Sequence, residues 1–307
     1  MGDLEPRRPR VEYLEQPCRT ALNRVRGMPF AWSLNPYMGC EHRCGFCYVR
    51  HFEQRADRPA DGRYGRSIRV KTNVAQVLRH ELSRPSWRRE SVSVGTATDP
   101  YQPAEGTYRL TRACLAAFAD HSTPVGVITR GPLVVRDIDV LSTLARRADL
   151  TVNFSVPTLD LEVWRRTEPG TAPPAQRLRA LERLAAAGIR AGVALAPILP
   201  GISDRPEQLA AVVRAARDAG AAYVWSGVLH LRSGTREHFL EVLAEHWPEL
   251  LQRYQADYRG GAYLPAAKTS PVTGEVARLA GSLGVGRRPQ HHLTPAPGPE
   301  QLSLLAG

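Results

Sequence analysis

Cys40-Glu41-His42-Arg43-Cys44-Gly45-Phe46-Cys47-Tyr48 decides how the rest of the chain is read. It carries three of the five cysteines in the spacing C-x3-C-x2-C, with an aromatic residue just before the last. Three thiolates on so short a loop make a soft-metal or iron–sulfur site. A 4Fe–4S cluster held by Cys40, Cys44 and Cys47 keeps one iron without a protein ligand, open to a small molecule that offers an amine and a carboxylate. The rival is structural zinc, for which His51, four residues after Cys47, completes a Cys3His set. His42 reads as a solvated loop residue, and Cys18 and Cys114 as lone thiols.

The surrounding chain is ordinary for a globular protein: 307 residues, 43% hydrophobic and 23% charged, enough for one large α/β domain or two small ones. Met1 to Arg10 is charged and broken by proline, unlike a signal peptide. The longest apolar stretch, Ala191 to Ile202, holds two prolines and is too short to span a bilayer. The expectation is a cytoplasmic protein with no membrane partner, in which clustered cysteines bind metal rather than form disulfides. The formal net charge is +11, and residues 1–90 hold 18 Lys and Arg against 10 Asp and Glu, so +8 falls in the first third. A polyanion-binding surface needs such asymmetry. The competing reading is genomic: lysine occurs only at Lys71 and Lys268, so nearly every base is Arg, as GC-rich codon usage gives.

Along the chain, residues 1–30 show no period and read as a basic arm. Ala31 to Tyr37 is a first strand running into the cysteines, and His51 to Arg66 a long polar loop. Strands and helices then alternate. Strands are expected at 91–98, 125–129, 150–156, 193–199 and 222–229. Helices are expected at 73–83, 111–118 with Thr111 as N-cap, 133–147, 176–187 with Gly188 as C-cap, and 204–220 with an Asp204/Glu207 capping box. Six strands separated by helices imply a parallel sheet, a partial (β/α)6 TIM-like barrel whose site lies at the strands' C-terminal ends. The expected organisation is an arm (1–30), the core (31–234), a helical C-terminal extension (235–288) and a disordered tail (289–307). Within the extension, 235–258 is amphipathic and 259–288 Gly-rich and weakly patterned.

The loop's spacing resembles that of radical S-adenosylmethionine (SAM) enzymes. Further stretches resemble the subgroup related to spore photoproduct lyase: Asn35-Pro36-Tyr37-Met38-Gly39-Cys40, Gly95-Thr96-Ala97-Thr98-Asp99-Pro100-Tyr101-Gln102-Pro103-Ala104-Glu105, Glu168-Pro169-Gly170-Thr171 and Ala196-Pro197-Ile198-Leu199. These run in order over roughly 35–230 and are far more specific together than the cysteines alone. The resemblance implies a cluster on Cys40, Cys44 and Cys47, with SAM chelating the open iron. It places Phe46 near the adenine, Thr98 at the methionyl amino group, Arg130 at the methionyl carboxylate, Ser155 at the ribose, and the backbone around Ala196 at the adenine. It implies reductive cleavage of SAM to a 5′-deoxyadenosyl radical, an electron donor such as flavodoxin or ferredoxin, and DNA or another nucleic acid or nucleotide as substrate. Alternatives are a protein or small metabolite as substrate, or a non-catalytic zinc- or cluster-containing nucleic-acid-binding protein.

The resemblance departs where spore photoproduct lyase relays hydrogen through a cysteine and a tyrosine. Those positions read Thr96 and Phe46 here, and Tyr48 keeps the second tyrosine, a candidate catalytic residue. A related but different substrate is expected. Near the end of the chain, Gln301-Leu302-Ser303-Leu304-Leu305 resembles the short peptide with which bacterial repair enzymes bind the DNA sliding clamp.

Overall fold

Short apolar runs closed by Gly, Pro or Asp become the strands, because a strand covered on both faces has no need of polar alternation. The computed structural model describes residues 11–28 and 30–286. Ten strands follow one another: β1 (Glu12–Gln16), β2 (Leu22–Arg24), β3 (Trp32–Leu34), β4 (Tyr37–Met38), β5 (Ser67–Lys71), β6 (Val92–Val94), β7 (Val125–Thr129), β8 (Leu150–Ser155), β9 (Ala191–Ile198) and β10 (Tyr223–Val228). One sheet has the order β10-β9-β8-β7-β6-β3-β2 and a smaller one the order β1-β5-β4. In the large sheet β3 and β6 to β10 are parallel neighbours, which are the six expected strands, and β2 adds antiparallel at the edge. β2 and β10 are not paired, so the barrel is open.

Val92, Val94, Val125, Val127, Val152, Phe154, Val193 and Leu195 are fully buried in this sheet. Helices Leu110–Asp120, Ile138–Arg147, Pro174–Ala186 and Pro206–Asp218 lie between successive strands and bury Leu115, Leu144, Leu181 and Val213 in the same core. Each such side chain contributes roughly 1.5–3 kcal/mol. Helix Ala266–Ser282 packs on β10, burying Val276 and Ala280, and Gly286 then bridges to Tyr223 in parallel. Among the described residues, no helix is long and apolar enough to cross a membrane.

Several expectations need correction. The arm contains two strands: β1 pairs in parallel with β5, and β2 pairs antiparallel with β3. Every residue of β1 is exposed, so no apolar pattern announces it, and backbone hydrogen bonding alone makes it a strand. The first strand stops at Leu34 because Pro36 has no N–H for a ladder, and Tyr37 and Met38 turn into the smaller sheet. Val49–Arg55 is a helix where a loop was expected, and Leu161–Thr167 is a further helix, capped by Asp160 Oδ1 accepting from Glu162 N and Val163 N. Thr111 is inside its helix and donates to Pro100 O. The capping partner of the 206–218 helix is Gln208, bonded to Arg205 N, not Glu207. The stretch 259–288 contains a helix of 17 residues despite Pro271. Residues 289–307, with the clamp-like Gln301 to Leu305, lie outside the described residues.

Glu105 joins the first half of the core to the cysteine approach. Its buried carboxylate accepts from Tyr37 Oη at 2.5 Å, Thr111 N, Arg112 N and Arg136 Nη2. Glu105→Ala removes a shared acceptor and strands the Tyr37 hydroxyl in the core, so a loss of about 3 kcal/mol in unfolding free energy is expected. Denaturant titration followed by circular dichroism measures it, and unchanged stability would refute this bonding.

Candidate active site

The cysteines sit on two successive turns just beyond β4. Arg43 N donates to Cys40 O and Cys47 N to Cys44 O, at 3.3 and 3.1 Å. The turns bring Cys40, Cys44 and Cys47 to one cleft at the C-terminal end of the parallel strands, with Tyr48, Thr96, Thr98 and Arg130 also on its walls. Cys40 and Cys44 are buried and Cys47 half-buried. Gly65 closes over the loop with φ +77°, and a Cβ there would lie 2.2 Å from Cys40 O.

The loop is held from three sides. From the segment after β6, Thr98 Oγ1 donates to Gly39 O at 2.6 Å, and Gln102 Nε2 donates to Thr98 Oγ1 at 2.7 Å and to Gly39 O at 3.3 Å. Gln102 Oε1 accepts from Glu41 N at 3.0 Å, and Glu41 Oε1 accepts from Ala104 N. From the end of helix 161–167 and the turn after it, Thr167 O accepts from Gly45 N at 2.8 Å, and Gly170 N donates to His42 O at 3.1 Å. A Cβ on Gly170 would meet Glu41 O at 2.4 Å, so only glycine lets the two backbones approach. From the C-terminal extension, Thr235 Oγ1 donates to Cys47 O.

The charges beneath the loop are paired. Glu168 is fully buried and accepts from Arg130 Nε at 2.7 Å and Arg177 Nη1 at 3.0 Å. Burial pushes this carboxyl up, yet Arg177 and Arg130 outweigh it and hold Glu168 below the usual carboxylate range. Two guanidiniums share the Glu168 carboxylate, and the Asp99 carboxylate lies on the same cleft beside Cys40. Burial pushes the Cys44 thiol up to about 12, with Arg130 pulling the other way. Asp99, also buried, is held down at about 2: burial raises it, but His42, the Thr129 hydroxyl and Arg130 N–H prevail. His42 is therefore not a solvated loop residue; it is buried, with Nδ1 3.3 Å from Asp99 Oδ2. A histidine on a loop pressed between two other segments has no water to face.

Each expected site residue has a definite place. Arg130 is one residue past β7 and lies over the Phe46 ring, 5.5 Å from its centroid. Its Nη2 donates to Ala196 O at 3.3 Å, and Nη1 has no hydrogen-bond partner among the described residues. Ser155 ends β8, in register with Ala194 of β9. Phe46 is buried among Leu199, Leu229 and Phe239. Tyr48 Oη donates to Thr96 O. Thr98 differs from expectation: its one proton goes to Gly39 O and a lone pair to Gln102, so its bonds brace the loop. His51, the proposed fourth zinc ligand, sets Nδ1 3.2 Å from Ser233 O. Gln102, Glu168 and Asp99 stood inside quoted stretches without a role, and Arg177 gave no signal in sequence.

Among the described residues, no three His, Cys, Asp or Glu side chains converge on a single-ion site. A cube of four irons instead takes its three thiolates at separate corners, and this cleft offers three thiols on a tightly braced backbone. The residues fit such a cluster. Replacing Cys40, Cys44 or Cys47 with Ala is expected to abolish iron retention after anaerobic reconstitution, whereas Cys18→Ala and Cys114→Ala retain it. Iron analysis and absorbance near ~400 nm read the outcome, and iron lost from Cys114→Ala would overturn the ligand set.

Comparisons with known proteins agree with this geometry. The family profile named Radical SAM superfamily matches residues 34–214. An uncharacterized protein of Mycobacterium tuberculosis is 40% identical over 272 residues, covering 88% of this chain and 80% of that protein. An uncharacterized protein of Methanocaldococcus jannaschii is 24% identical over 195 residues, covering 64% of this chain and 71% of that protein. Among solved structures, a spore photoproduct lyase mutant with bound AdoMet and dinucleoside spore photoproduct superposes with a TM-score of 0.69 at 14% identity, covering 91% of this chain and 82% of that one. A loop that gathers three cysteines at the C-terminal mouth of six parallel strands, over the stretch matched by the family profile, means that this chain belongs to the radical SAM superfamily.

Proposed function

We propose that this radical SAM enzyme acts on DNA or on another nucleic acid or nucleotide. The observation that carries the reading is the overlap, over 91% of the chain, with an enzyme whose structure contains a dinucleoside. The charge of +11, with +8 in residues 1–90, supports it. When bound, the cluster supplies the electron, drawn from a donor such as flavodoxin or ferredoxin, that cleaves SAM to methionine and a 5′-deoxyadenosyl radical.

The chain's own residues do the positioning in this reading. Cys40, Cys44 and Cys47 hold the cluster, and the free Nη1 of Arg130 takes the methionyl carboxylate while Glu168 fixes the guanidinium plane. Phe46 and the Ala196 backbone, both in contact with Arg130, flank the adenine side, and Ser155 at the end of β8 serves the ribose. Thr98 contributes through its remaining lone pair and through the loop it braces. Tyr48 is the one phenol among the described residues lining the cleft and is the candidate for exchanging a hydrogen atom with the substrate. Thr96 and Phe46 offer neither thiol nor phenol, so a relay through those two positions is unavailable.

Two measurements test this. Anaerobic, reconstituted protein with a chemical reductant is expected to form 5′-deoxyadenosine faster when DNA is added; formation that DNA does not stimulate would move the substrate to a protein or metabolite. Arg130→Ala is expected to weaken SAM binding about ten-fold or more, since a charge-assisted pair contributes on the order of 1.5–3 kcal/mol, while the cluster's visible spectrum survives. Unchanged SAM affinity would show that Arg130 serves Glu168 alone.

A further inference from the structure

The rim of the cleft carries a row of rings, three of them exposed and the fourth, His230, half-buried. Phe52, Tyr48, His230 and Tyr263 succeed one another at centroid distances of 6.1, 5.7 and 5.2 Å. Tyr48 belongs to the cleft wall, next to Cys47. His230 stands two residues beyond β10, on the same C-terminal rim. Tyr263 is outermost and 62% exposed, and Tyr48 and Phe52 are exposed as well. His230 and Tyr263 stack on each other with planes 18° from parallel, Tyr48 and His230 are inclined by 36°, and Phe52 stands edge-on to Tyr48 at 84°. Rings that served only the core would be covered, because hiding each apolar face is favourable.

The row is built rather than loose. Leu231 N donates to Ala262 O at 2.8 Å, and Arg236 Nη2 donates to Gly261 O at 2.8 Å and to Leu231 O at 3.2 Å. Tyr258 Oη donates to Leu229 O at 2.7 Å. These bonds fix the loop bearing Tyr263 to the segment bearing His230, so little ordering is left for a ligand to impose. Arg232 lies 5.9 Å from the Tyr263 ring and donates to its hydroxyl at 3.2 Å. Arg232 and Arg259 are exposed on these two segments, and neither forms an ion pair among the described residues. Burial and Arg232 hold His230 below its ordinary pKa, which favours the neutral ring at pH 7.

A short aromatic stack that bases can extend, with the exposed Arg232 beside its outer ring, matches the two repeating parts of a single strand, bases and phosphates. We infer that Tyr48, His230 and Tyr263 form a stacking platform that leads unpaired nucleobases toward the cysteine cleft, with Arg232 at the phosphates. The inference rests on the nucleic-acid reading above and specifies where the strand lies.

The test uses the full-length reconstituted protein, at one fixed salt concentration, with fluorescein-labelled single-stranded oligothymidylate of about 12 nucleotides and an abasic strand of equal length. Fluorescence anisotropy is expected to show wild-type preference for the base-bearing strand. Tyr263→Ala and His230→Ala should each lose about 5- to 100-fold in affinity for that strand and change little on the abasic one. Tyr263→Phe should bind as wild type, Arg232→Ala should weaken both strands alike, and Leu161→Ala, an exposed apolar residue on helix 161–167, should change neither. Thermal melts confirm that each variant is folded, and Tyr263, being mostly exposed, tolerates truncation. If wild type binds both strands equally, or if both alanine variants bind the base-bearing strand as wild type does, the platform is wrong while nucleic-acid binding stands. If wild type binds neither strand, the platform is wrong, and the nucleic-acid reading is decided separately by whether DNA stimulates 5′-deoxyadenosine formation.

Discussion

The Glu168 carboxylate, buried between Arg130 and Arg177, is the interaction on which the site depends. A lone buried carboxylate would cost several kcal/mol, and two guanidiniums in hydrogen-bonding geometry offset that cost. The same two arginines reach further. Arg177 also donates to Ser155 O, Ala172 O and Thr171 Oγ1, while Arg130 reaches Ala196 O and covers Phe46. One ionic hub thus ties the ends of β7, β8 and β9 to the loop that carries Gly170, and through Gly170 to the cysteines. Against burial, Arg130 and Arg177 pull the Cys44 thiol down, while burial and Asp99 on the same cleft push Cys40 up.

The stretch from Gly95 to Glu105 shows how a distinctive run can act through another segment. Its polar side chains turn mainly inward upon the chain: Thr98 and Gln102 hold Gly39 and Glu41, Asp99 faces His42, and Glu105 takes the Tyr37 hydroxyl. A loop with three metal-binding residues repels itself once they ionise, so its backbone has to be imposed from outside. These bonds impose it before any cluster is present, which lowers the ordering cost of loading. The departures at Thr96 and Phe46 fit the same geometry. Thr96 meets Tyr48 through its carbonyl, and Phe46 has gone into the apolar cluster under Arg130.

The six parallel strands and the cysteine loop were legible in sequence for one reason each. Strands buried on both faces appear as short apolar runs such as Val125 to Thr129, and metal ligands on one loop keep a spacing that no distant contact can change. Gly188 announced a helix end because a left-handed backbone favours glycine there, with φ +74° in the structure.

What stayed hidden belongs to contacts between distant segments. β1 exposes every residue and is a strand only because β5 lies beside it. His42 looked solvated until Asp99 and Gly170 closed over it. The ring row joins positions 48, 52, 230 and 263, which share no period and no neighbourhood in the chain. Sequence alone determined the chemistry, three cysteines on one short loop, because that chemistry is local. Only the tertiary structure decided which polar side chains brace the loop and which rings face the substrate, because those roles are set by the partner a side chain meets and by the water it loses.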